Sequence, residues 1–418
     1  MRVEWLEAAA GAGAVRALVP APRDVEAAVR DIVAQVRDGG DEALARLTAR
    51  LDGVEVPADR LRVEEAQLRA AERALAPDVR AAIETAIENV GAVARAQLRP
   101  DLPLELAQGH TIELAEVAVS RAGAYVPGGR AAYPSTVVMC AVTAREAGVG
   151  ELAVCAPPGP DGDVHPAILA ACRLCGVEEV YRVGGAQAIA ALAYGTATIG
   201  AVDVIVGPGN AYSQEAKLQL SWLVGIDGVK GPSDLVVLAS AGADPVLVAL
   251  DLLAQAEHGP DSPLCAISDE AALLEAVASS VAQLTPQRPS AGEAPLALVP
   301  VTGMREGLEL AEQIAPEHLE LVGAEAEQLA PDVRRAGCLF VGRDAATAFG
   351  DYVAGSNHVL PTGGAARFQS ALSPADFRRR MARVTLWPGA AARLAPAGAA
   401  LARAEGFPVH AESMERRS

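Results

Sequence analysis

The spacing of apolar residues changes once along the chain, near residue 121. Before that point, stretches such as VEEAQLRAAERALAPDVRAAIETAIENVGAVARAQL repeat apolar residues every three or four positions, which predicts amphipathic helices. After it, short β-branched runs alternate with helical segments, as where ELAVCAPPG precedes HPAILAACRLCG and EEVYRVGG precedes AQAIAALAYG. This alternation is typical of parallel sheets covered by helices, so we expect an α/β fold.

The apolar runs are too numerous for one sheet, which favours two α/β domains. The loop sequence GVKGPSD places a junction near residues 231–234. The segment that starts at RVTLWPG is expected to form a small helical appendage. The loops VPGGR, VGGAQ, VGPGN and GPSD follow predicted strands, where open α/β sheets bind ligands. No strand is followed by G-x-G-x-x-G, so the motif of a standard dinucleotide site is absent.

Charge and hydropathy exclude two classes of partner. A net charge of −18 argues against nucleic acid, because phosphate backbones require basic surfaces. No apolar run approaches the roughly 18 residues of a membrane span. The N-terminal stretch carries Glu4, Glu7 and Arg16 within its apolar part, which is atypical of a signal peptide. We therefore expect a cytoplasmic protein without a nucleic-acid or membrane partner.

The six cysteines are interpreted as core residues. Cys140, Cys155, Cys265 and Cys338 lie in apolar segments. Cys172 and Cys175 form a C-x-x-C, but no second such pair exists and the motif lies on an Ala/Leu helix pattern. Packing is favoured there over a redox or zinc role, although both remain open.

Polar clusters around four histidines suggest chemistry. Gln255 and His258 are three apart in QAEHGPDS, so they share one face of a helix. Together with Asp351 and His410 they offer one amide oxygen, two imidazoles and one carboxylate, a set that suits zinc. Each histidine taken alone is better explained as structural, and spacing does not prove that the four converge.

Glu317 and His318 form an adjacent acid and base in APEHLEL, where a helix pattern gives way to a strand. Histidine titrates near neutrality and suits general-base work, while a carboxylate can activate water. A solvated helix end is the alternative interpretation.

Long stretches of the chain resemble the histidinol dehydrogenase family. The matching stretches, in the family order, are YVPGGRAAYPSTVVM, VGGAQAIAALAYGT, VDVIVGPGNAY, GPSD, LLAQAEHGPDS, APEHLEL, GDYVAGSNHVLPTGGAARF and EGFPVHAES. They cover residues 125–413, whereas the first hundred residues match only in helical character.

The resemblance implies a fold and an activity. The fold would be two incomplete Rossmann-like domains with helical extensions at both ends. We expect an extension at 1–22, a first domain at 23–124 and 235–371, a second domain at 125–234, and a C-terminal extension at 372–418. The activity would be the zinc- and NAD-dependent, four-electron oxidation of L-histidinol to L-histidine through L-histidinaldehyde. The protein would be an intertwined homodimer with shared active sites.

The resemblance also assigns roles to single residues. Zinc would be held by Gln255, His258, Asp351 and, from the partner subunit, the residue equivalent to His410. His318 would be the general base and Glu317 would activate water. Ser233, His358 and Glu405 would contact the substrate, together with His318 and the four zinc ligands. Tyr125, Gln187 and Asn210 would contact NAD.

The chain departs from the family pattern at three places. Asp234 follows GPS where Glu is usual, GVK precedes that motif where apolar residues are common, and AYSQEAK is more polar than usual. These departures put local loop contacts and NAD affinity in doubt. Two alternatives are a related zinc dehydrogenase acting on another small polar alcohol, and a non-enzymatic metal-binding protein. The intact EGFPVHAES favours histidinol over another alcohol, and Glu317-His318 beside the ligand set argues against a binding protein.

Overall fold

One side of the candidate site is built on a six-stranded parallel sheet. The structure is a computed structural model, and it describes residues 1–20, 24–128, 131–291, 293–387 and 389–417. Every strand of this sheet pairs in parallel with its neighbours. In spatial order the strands are Arg2–Trp5 (β1), Pro295–Pro300 (β11), Leu264–Ser268 (β10), Leu235–Ala239 (β9), His318–Val322 (β12) and Cys338–Val341 (β13).

A second parallel sheet lies in the middle of the chain. Its strands are almost wholly apolar and buried, as expected where helices cover both faces of a parallel sheet. In spatial order they are Glu179–Arg182 (β6), Glu151–Ala156 (β5), Arg121–Tyr125 (β4), Val204–Val206 (β7) and Gly225–Ile226 (β8).

The third sheet is antiparallel and has three strands. The order is Arg378–Leu386 (β14), His110–Ala118 (β3) and Leu102–Leu106 (β2). Every residue of β2 is exposed, and most of β14 is exposed as well. This sheet joins the middle of the chain to its C-terminal segment.

Helices cover both parallel sheets. A separate apolar cluster lies on each face of each parallel sheet, so each sheet has helices packed on both sides. The helices are Gly11–Arg16 (α1), Glu26–Leu51 (α2), Glu65–Ala74 (α3), Pro77–Gln97 (α4), Pro134–Ala147 (α5), Pro166–Leu174 (α6), Gly185–Tyr194 (α7), Ala211–Leu220 (α8), Pro245–Ala256 (α9), Ala271–Leu284 (α10), Met304–Ile314 (α11), Ala324–Glu327 (α12), Thr347–Tyr352 (α13), Ala390–Ala404 (α14) and Pro408–Glu415 (α15).

The α/β class, the two parallel sheets and the helical segments at both ends are confirmed, but the expected division of the chain differs from the packing. Strand β1 belongs to the six-stranded sheet through its pairing with β11, so residues 1–22 are not simply an extension. Helices α2, α3 and α4 bury their apolar faces in the two clusters that cover the second sheet, although 23–124 was assigned to the first domain.

Two further boundaries also fall differently. The expected break between residues 124 and 125 cuts through β4, which pairs with β5 and β7 in the second sheet. The C-terminal extension begins with strand β14 before its helices, because the residues around RVTLW complete the antiparallel sheet. The expected boundary between residues 22 and 23 and the end of the VPGGR loop lie outside the described residues.

The cysteines confirm their interpretation as packing residues. Cys140, Cys155, Cys172, Cys175 and Cys265 are buried, whereas Cys338 is partly exposed. Burial raises the pKa of Cys175 to about 12 and that of Cys172 well above its usual value, so neither thiol forms a reactive thiolate near neutral pH. Among the described residues, no helix combines the length and apolar composition needed to cross a bilayer.

Candidate active site

A cavity of about 350 Å³ lies where the two parallel sheets approach each other. The second sheet contributes loops after the carboxyl ends of β4 and β7, whereas the six-stranded sheet contributes the amino ends of β9 and β12. The GPSD loop therefore lies at the site from the amino end of a strand. Only the loops of the second sheet lie at the carboxyl ends of strands, where the sequence predicted the ligand-binding loops. The lining residues include Pro127, Gly128, Pro208, Gly209, Asn210, Lys230, Ser233, His258, Glu317, His318, Asp351, His358 and Thr362.

Glu317 and His318 are positioned by the turn between α11 and β12. Ala315 ends α11 in the left-handed conformation with φ 48°, which is strained for a residue with a side chain. Glu317 and His318 are 6% and 2% exposed, so the alternative of a solvated helix end is wrong. The backbone N–H of Glu317 donates to Asp234 Oδ1 over 2.6 Å, and the Asp234 N–H donates to Glu317 Oε2 over 3.2 Å.

His318 is oriented through both ring nitrogens. Its Nδ1 lies 3.2 Å from the backbone carbonyl of Asp234, a pure acceptor, so Nδ1 carries the proton in that hydrogen bond. Its Nε2 lies 3.6 Å from Asp351 Oδ1. Burial alone would lower the pKa of His318, but the charges of Glu317 and Asp351 and the hydrogen bonds raise it to about 9.

The acidic groups around His318 have different environments. Burial raises the pKa of Glu317, and burial together with the charge of Glu317 raises the pKa of Asp234 to about 7. Burial would also raise the pKa of Asp351, but the hydrogen bond and charge of His318 bring it below its usual value. Asp351 is thus the carboxyl group of this set that most readily stays ionised beside the histidine.

Gln255 and His258 lie at the end of α9. Gln255 is 1% exposed and donates from Nε2 to Ser233 Oγ over 2.5 Å. Its Oε1 is buried and has no hydrogen-bond partner among the described residues. His258 Nδ1 lies 3.2 Å from the carbonyl of Gln255, which directs Nε2 away from the backbone. An orphaned amide oxygen, an imidazole nitrogen and a carboxylate at Asp351 are suitable donors for a divalent metal.

The C-terminal candidates do not join this group within one chain. Glu405 ends α14 and His410 lies on α15, and both are exposed. Neither lines the cavity. The rings of His410 and Phe407 are tilted by 53° to each other, with centroids 5.3 Å apart. Among the described residues, no group of three or more His, Cys, Asp or Glu side chains is close enough to hold a metal.

His358 is held at both ring nitrogens. Its Nδ1 lies 2.7 Å from the backbone carbonyl of Asp351, and its Nε2 lies 3.2 Å from Thr136 Oγ1. Burial lowers the pKa of His358. The neutral ring therefore fixes the end of α13, which carries Asp351, while one edge of the ring lines the cavity.

The three proposed NAD contacts surround the loops of the second sheet. The Tyr125 hydroxyl accepts from the N–H of Gly185 over 3.1 Å, and Gln187 donates to Asp52 over 3.2 Å. Asn210 Oδ1 caps α8 by accepting from two backbone N–H groups, at 3.0 and 3.2 Å. Asn210 lines the cavity, whereas Tyr125 and Gln187 are buried and do not line it.

Two residues at the site were not singled out from the sequence. Asp234 was noted only as a departure in a loop, yet it bonds directly to Glu317. Lys230 is 6% exposed and lines the cavity, and burial lowers its pKa. The signal that could have found it is in the sequence, since only two lysines occur and the other is Lys217.

Comparison with known proteins gives one consistent result. A family model described as histidinol dehydrogenase matches residues 19–418. Histidinol dehydrogenase of Gluconobacter oxydans is 44% identical over 401 residues, which are 94% of this chain and 93% of that protein. The enzyme of Rhizobium meliloti is 44% identical over 400 residues, at 94% and 92% coverage.

A solved structure agrees with these sequences. The crystal structure of histidinol dehydrogenase from Elizabethkingia anophelis superimposes with a TM-score of 0.92 at 29% identity, covering 100% of this chain and 98% of that one. Sequence and fold match over essentially the whole length, and the chain belongs to the histidinol dehydrogenase family.

Proposed function

We propose that the protein oxidises L-histidinol to L-histidine through L-histidinaldehyde, with NAD as oxidant and zinc as cofactor. The observation that carries this proposal is the buried Glu317-His318 pair on a cavity that also holds His258 and Asp351. An acid and a base with separate environments suit two successive oxidations with a hydration step between them.

Zinc would be held by Gln255, His258 and Asp351, with His410 of the partner subunit as the fourth ligand. The unpartnered Gln255 Oε1 supports this assignment, because a buried amide oxygen without a partner is costly unless a ligand satisfies it. When bound there, zinc would hold the imidazole and amino group of the substrate. Ser233 supports the same site by accepting a hydrogen bond from the Gln255 amide.

His318 would take the hydroxyl proton at Nε2 as hydride leaves the alcohol carbon for NAD. Nδ1 is occupied by the Asp234 carbonyl, so Nε2 is the nitrogen left for substrate. Glu317 would then remove a proton from water as its oxygen attacks the aldehyde carbon. During this attack His318 would return its first proton to the aldehyde oxygen, which gives the hydrate and restores the free base. The hydrate would then lose a second hydride to a second NAD, with His318 taking a hydroxyl proton again. One water is consumed and two NADH are formed for each histidinol.

Substrate and cofactor would occupy opposite sides of the cavity. Ser233 and His358 lie with the proposed metal ligands on the side of the six-stranded sheet and α13, and Glu405 would come from the partner subunit. NAD would contact Asn210 directly on the side of the second sheet, with Tyr125 and Gln187 close behind the loops. Glycine-rich loops allow the close backbone approach that a nucleotide requires.

A homodimer would complete the site. Strands β2, β3 and β14 present a row of exposed apolar side chains that includes Leu102, Leu104, Leu114, Val384 and Leu386. Exposed apolar patches of this kind mark interaction surfaces. Pairing through this face would bring the C-terminal helices of one subunit to the cavity of the other. We also propose the cytoplasm as the location, in keeping with a biosynthetic enzyme.

The alternative of another small polar alcohol is not favoured. The relatives that match 94% of the chain at 44% identity are histidinol dehydrogenases. No feature of the cavity points to a different substrate.

The test is a stoichiometric oxidation. Limiting L-histidinol is mixed with excess NAD and pure enzyme at mildly alkaline pH, with and without a zinc chelator, and NADH is counted by absorbance. We expect two NADH for each histidinol, with activity lost on chelation and restored by zinc, and no NADH from His318→Asn. No NADH from zinc-loaded enzyme would reject the assigned substrate. One NADH with accumulating aldehyde would reject the role of Glu317.

A further inference from the structure

A buried ion pair holds both backbone groups of a single residue, Gly207, its N–H and its C=O. Lys217 Nζ donates to the carbonyl of Gly207 over 2.5 Å, and the Gly207 N–H donates to Asp227 Oδ2 over 2.9 Å. Lys217 Nζ and Asp227 Oδ1 lie 2.7 Å apart, with side-chain exposures of 0% and 1%. The three groups form a closed ring of contacts beneath the loop.

Gly207 has no side chain, so only its backbone groups can anchor it. It follows β7 directly and has φ 109°, a backbone conformation that side chains rarely adopt. A Cβ atom at this position would overlap the backbone carbonyl of Tyr125. The chain must therefore turn here without a side chain, and only its N–H and C=O can be held.

Gly207 is the first residue of the loop that reaches the cavity. Pro208, Gly209 and Asn210 follow it, all three line the cavity, and Asn210 then caps α8. Lys217 lies on the same helix, two turns later, and reaches back to Gly207. Lys217 and Asn210 therefore connect helix α8 to both ends of the loop, Gly207 at its start and the helix N-terminus at its end.

Stability alone does not explain such a pair. Taking two charges out of water costs several kcal/mol for each ion, and replacing a buried pair with apolar residues is often neutral or stabilising. What the pair provides is a fixed backbone position. The ammonium of Lys217 and the carboxylate of Asp227 determine where the C=O and N–H of Gly207 lie.

We propose that Lys217 and Asp227 are positioning residues for NAD, which set its affinity by holding the loop at Gly207 without touching the cofactor. This inference rests on the proposed function, in which Asn210 contacts NAD. The chemical class of the ligand is a dinucleotide that packs against the backbone of this loop.

The experiment compares single and double replacements in the zinc-loaded enzyme. Lys217→Met and Asp227→Asn each leave a buried charge or dipole unmatched, so both lose thermal stability. The double variant removes both charges and keeps an acceptor for the Gly207 N–H, and its melting temperature returns towards the wild-type value. We expect its KM for NAD to stay raised about tenfold, a ratio equal to about 1.4 kcal/mol. The kcat, zinc content and histidinol affinity without NAD change little.

Arg182→Met is the matched control. Arg182, on β6 of the second sheet, is 2% exposed and pairs with Asp163 over 2.7 Å. Its other hydrogen bonds go to the carbonyls of Arg60 and Arg62 and to Gln67 Oε1, and not to the loop that follows Gly207. This variant should lose stability with an unchanged KM for NAD. A wild-type KM for NAD in the double variant, or an equal loss of histidinol affinity, would overturn the inference.

Asn210→Ala tests separately whether this loop binds NAD and whether Lys217 and Asp227 position it. A raised KM for NAD in Asn210→Ala with a wild-type KM in the double variant would reject the positioning role alone. An unchanged KM in Asn210→Ala would reject this loop as the NAD site and the positioning role with it.

Discussion

Glu317 and His318 are neighbours in sequence but experience different surroundings. Glu317 is locked to Asp234 by two reciprocal hydrogen bonds, while His318 points Nε2 toward Asp351. Burial raises the pKa of Glu317, which makes its carboxylate a stronger base than an exposed glutamate. A water-activating carboxylate and a proton-accepting imidazole can therefore act at different stages of one reaction.

Glu317→Gln and His318→Asn should separate the two oxidations. We expect His318→Asn to reduce both steps by about 10²–10⁴-fold, the usual effect of removing a general base. Glu317→Gln keeps the shape of the side chain and should slow aldehyde oxidation much more than alcohol oxidation. Stopped-flow measurement of NADH with histidinol and with histidinaldehyde as substrates checks this. Equal losses in both steps for both variants would contradict the division of roles.

The candidate pair was predictable, and its environment was not. The adjacent acid and base after a helix pattern gave Glu317 and His318 directly. Their burial depends on the parallel register that sets His318 opposite Leu235. The hydrogen-bonded partners Asp234 and Glu317 are 83 positions apart in the sequence. Such a contact follows from strand order in the sheet, which a single sequence does not reveal.

Helix α9 carries the proposed zinc ligand Gln255, and strand β12 begins with the proposed base His318. Two buried acidic side chains, Asp251 on α9 and Glu320 on β12, connect these elements. Asp251 lies one turn before Gln255, and Glu320 lies two residues after His318. Glu320 is 1% exposed, and burial with the charge of Asp251 raises its pKa to about 9. Burial also raises the pKa of Asp251, so the two side chains share a proton in a hydrogen bond at neutral pH.

Glu320→Gln should make the protein more stable at alkaline pH. A carboxyl whose folded pKa lies above its unfolded value binds more protons when folded, so stability falls as pH rises from about 4.5 to about 9. Glutamine keeps a donor and an acceptor without that loss. We expect a higher melting temperature than wild type at pH 8 and a shrinking difference toward pH 5, measured by scanning calorimetry. Glu325→Gln, at an exposed position on α12, is the control. A difference that does not vary with pH would contradict the shared proton.

Elements with buried apolar runs were predictable, and the antiparallel sheet was missed. Strands β9, β10 and β11 are buried along nearly their whole length, and the sequence shows them as uninterrupted apolar runs. Strand β2 alternates leucine with proline or glutamate, a period of two that does indicate a strand. The helical pattern of the residues before β2 made this strand hard to recognise. Strand β14 was hard to recognise because it begins with three arginines and not with an apolar run.

The whole molecule presents an apolar sheet face that no other part of the described chain covers. Leu102, Leu104 and Leu114 are 53%, 40% and 38% exposed, and Val384 is 57% exposed. These residues lie in neighbouring register across β2, β3 and β14. Covering the face in a homodimer would remove this apolar area from water at about 25 cal/mol for each Å².

A charge on this face should dissociate the proposed dimer. Leu104→Glu combined with Val384→Glu places two carboxylates in the middle of the face, and both side chains are already exposed in the single chain. We expect a folded monomer by light scattering with little activity, since the partner's ligand would be lost. Glu105→Gln, exposed on the same strand, should leave the dimer intact. A dimeric, active double variant would place the interface elsewhere.

In the proposed homodimer, assembly would determine which candidate residues meet. The sequence supports that arrangement only through the resemblance. His258 and Asp351 line one chain's cavity, and Gln255 donates a hydrogen bond to Ser233, which also lines it, whereas His410 lies exposed on α15 of the same chain. No spacing along the chain could assign His410 to a neighbour. A site divided between subunits, however, makes a prediction that a site within one chain does not make.

Co-expression of His258→Ala and His410→Ala chains should restore activity that neither variant has alone. In a mixed dimer, one site combines His258 of the His410→Ala chain with the partner's His410, and the other site lacks both. Random pairing makes half the dimers mixed, so we expect roughly a quarter of wild-type activity and bound zinc. Mixing His258→Ala with Asp351→Ala is the control, because each site of that dimer lacks one ligand and none recovers. Purified mixed dimers without activity or zinc would mean that each chain builds its site alone.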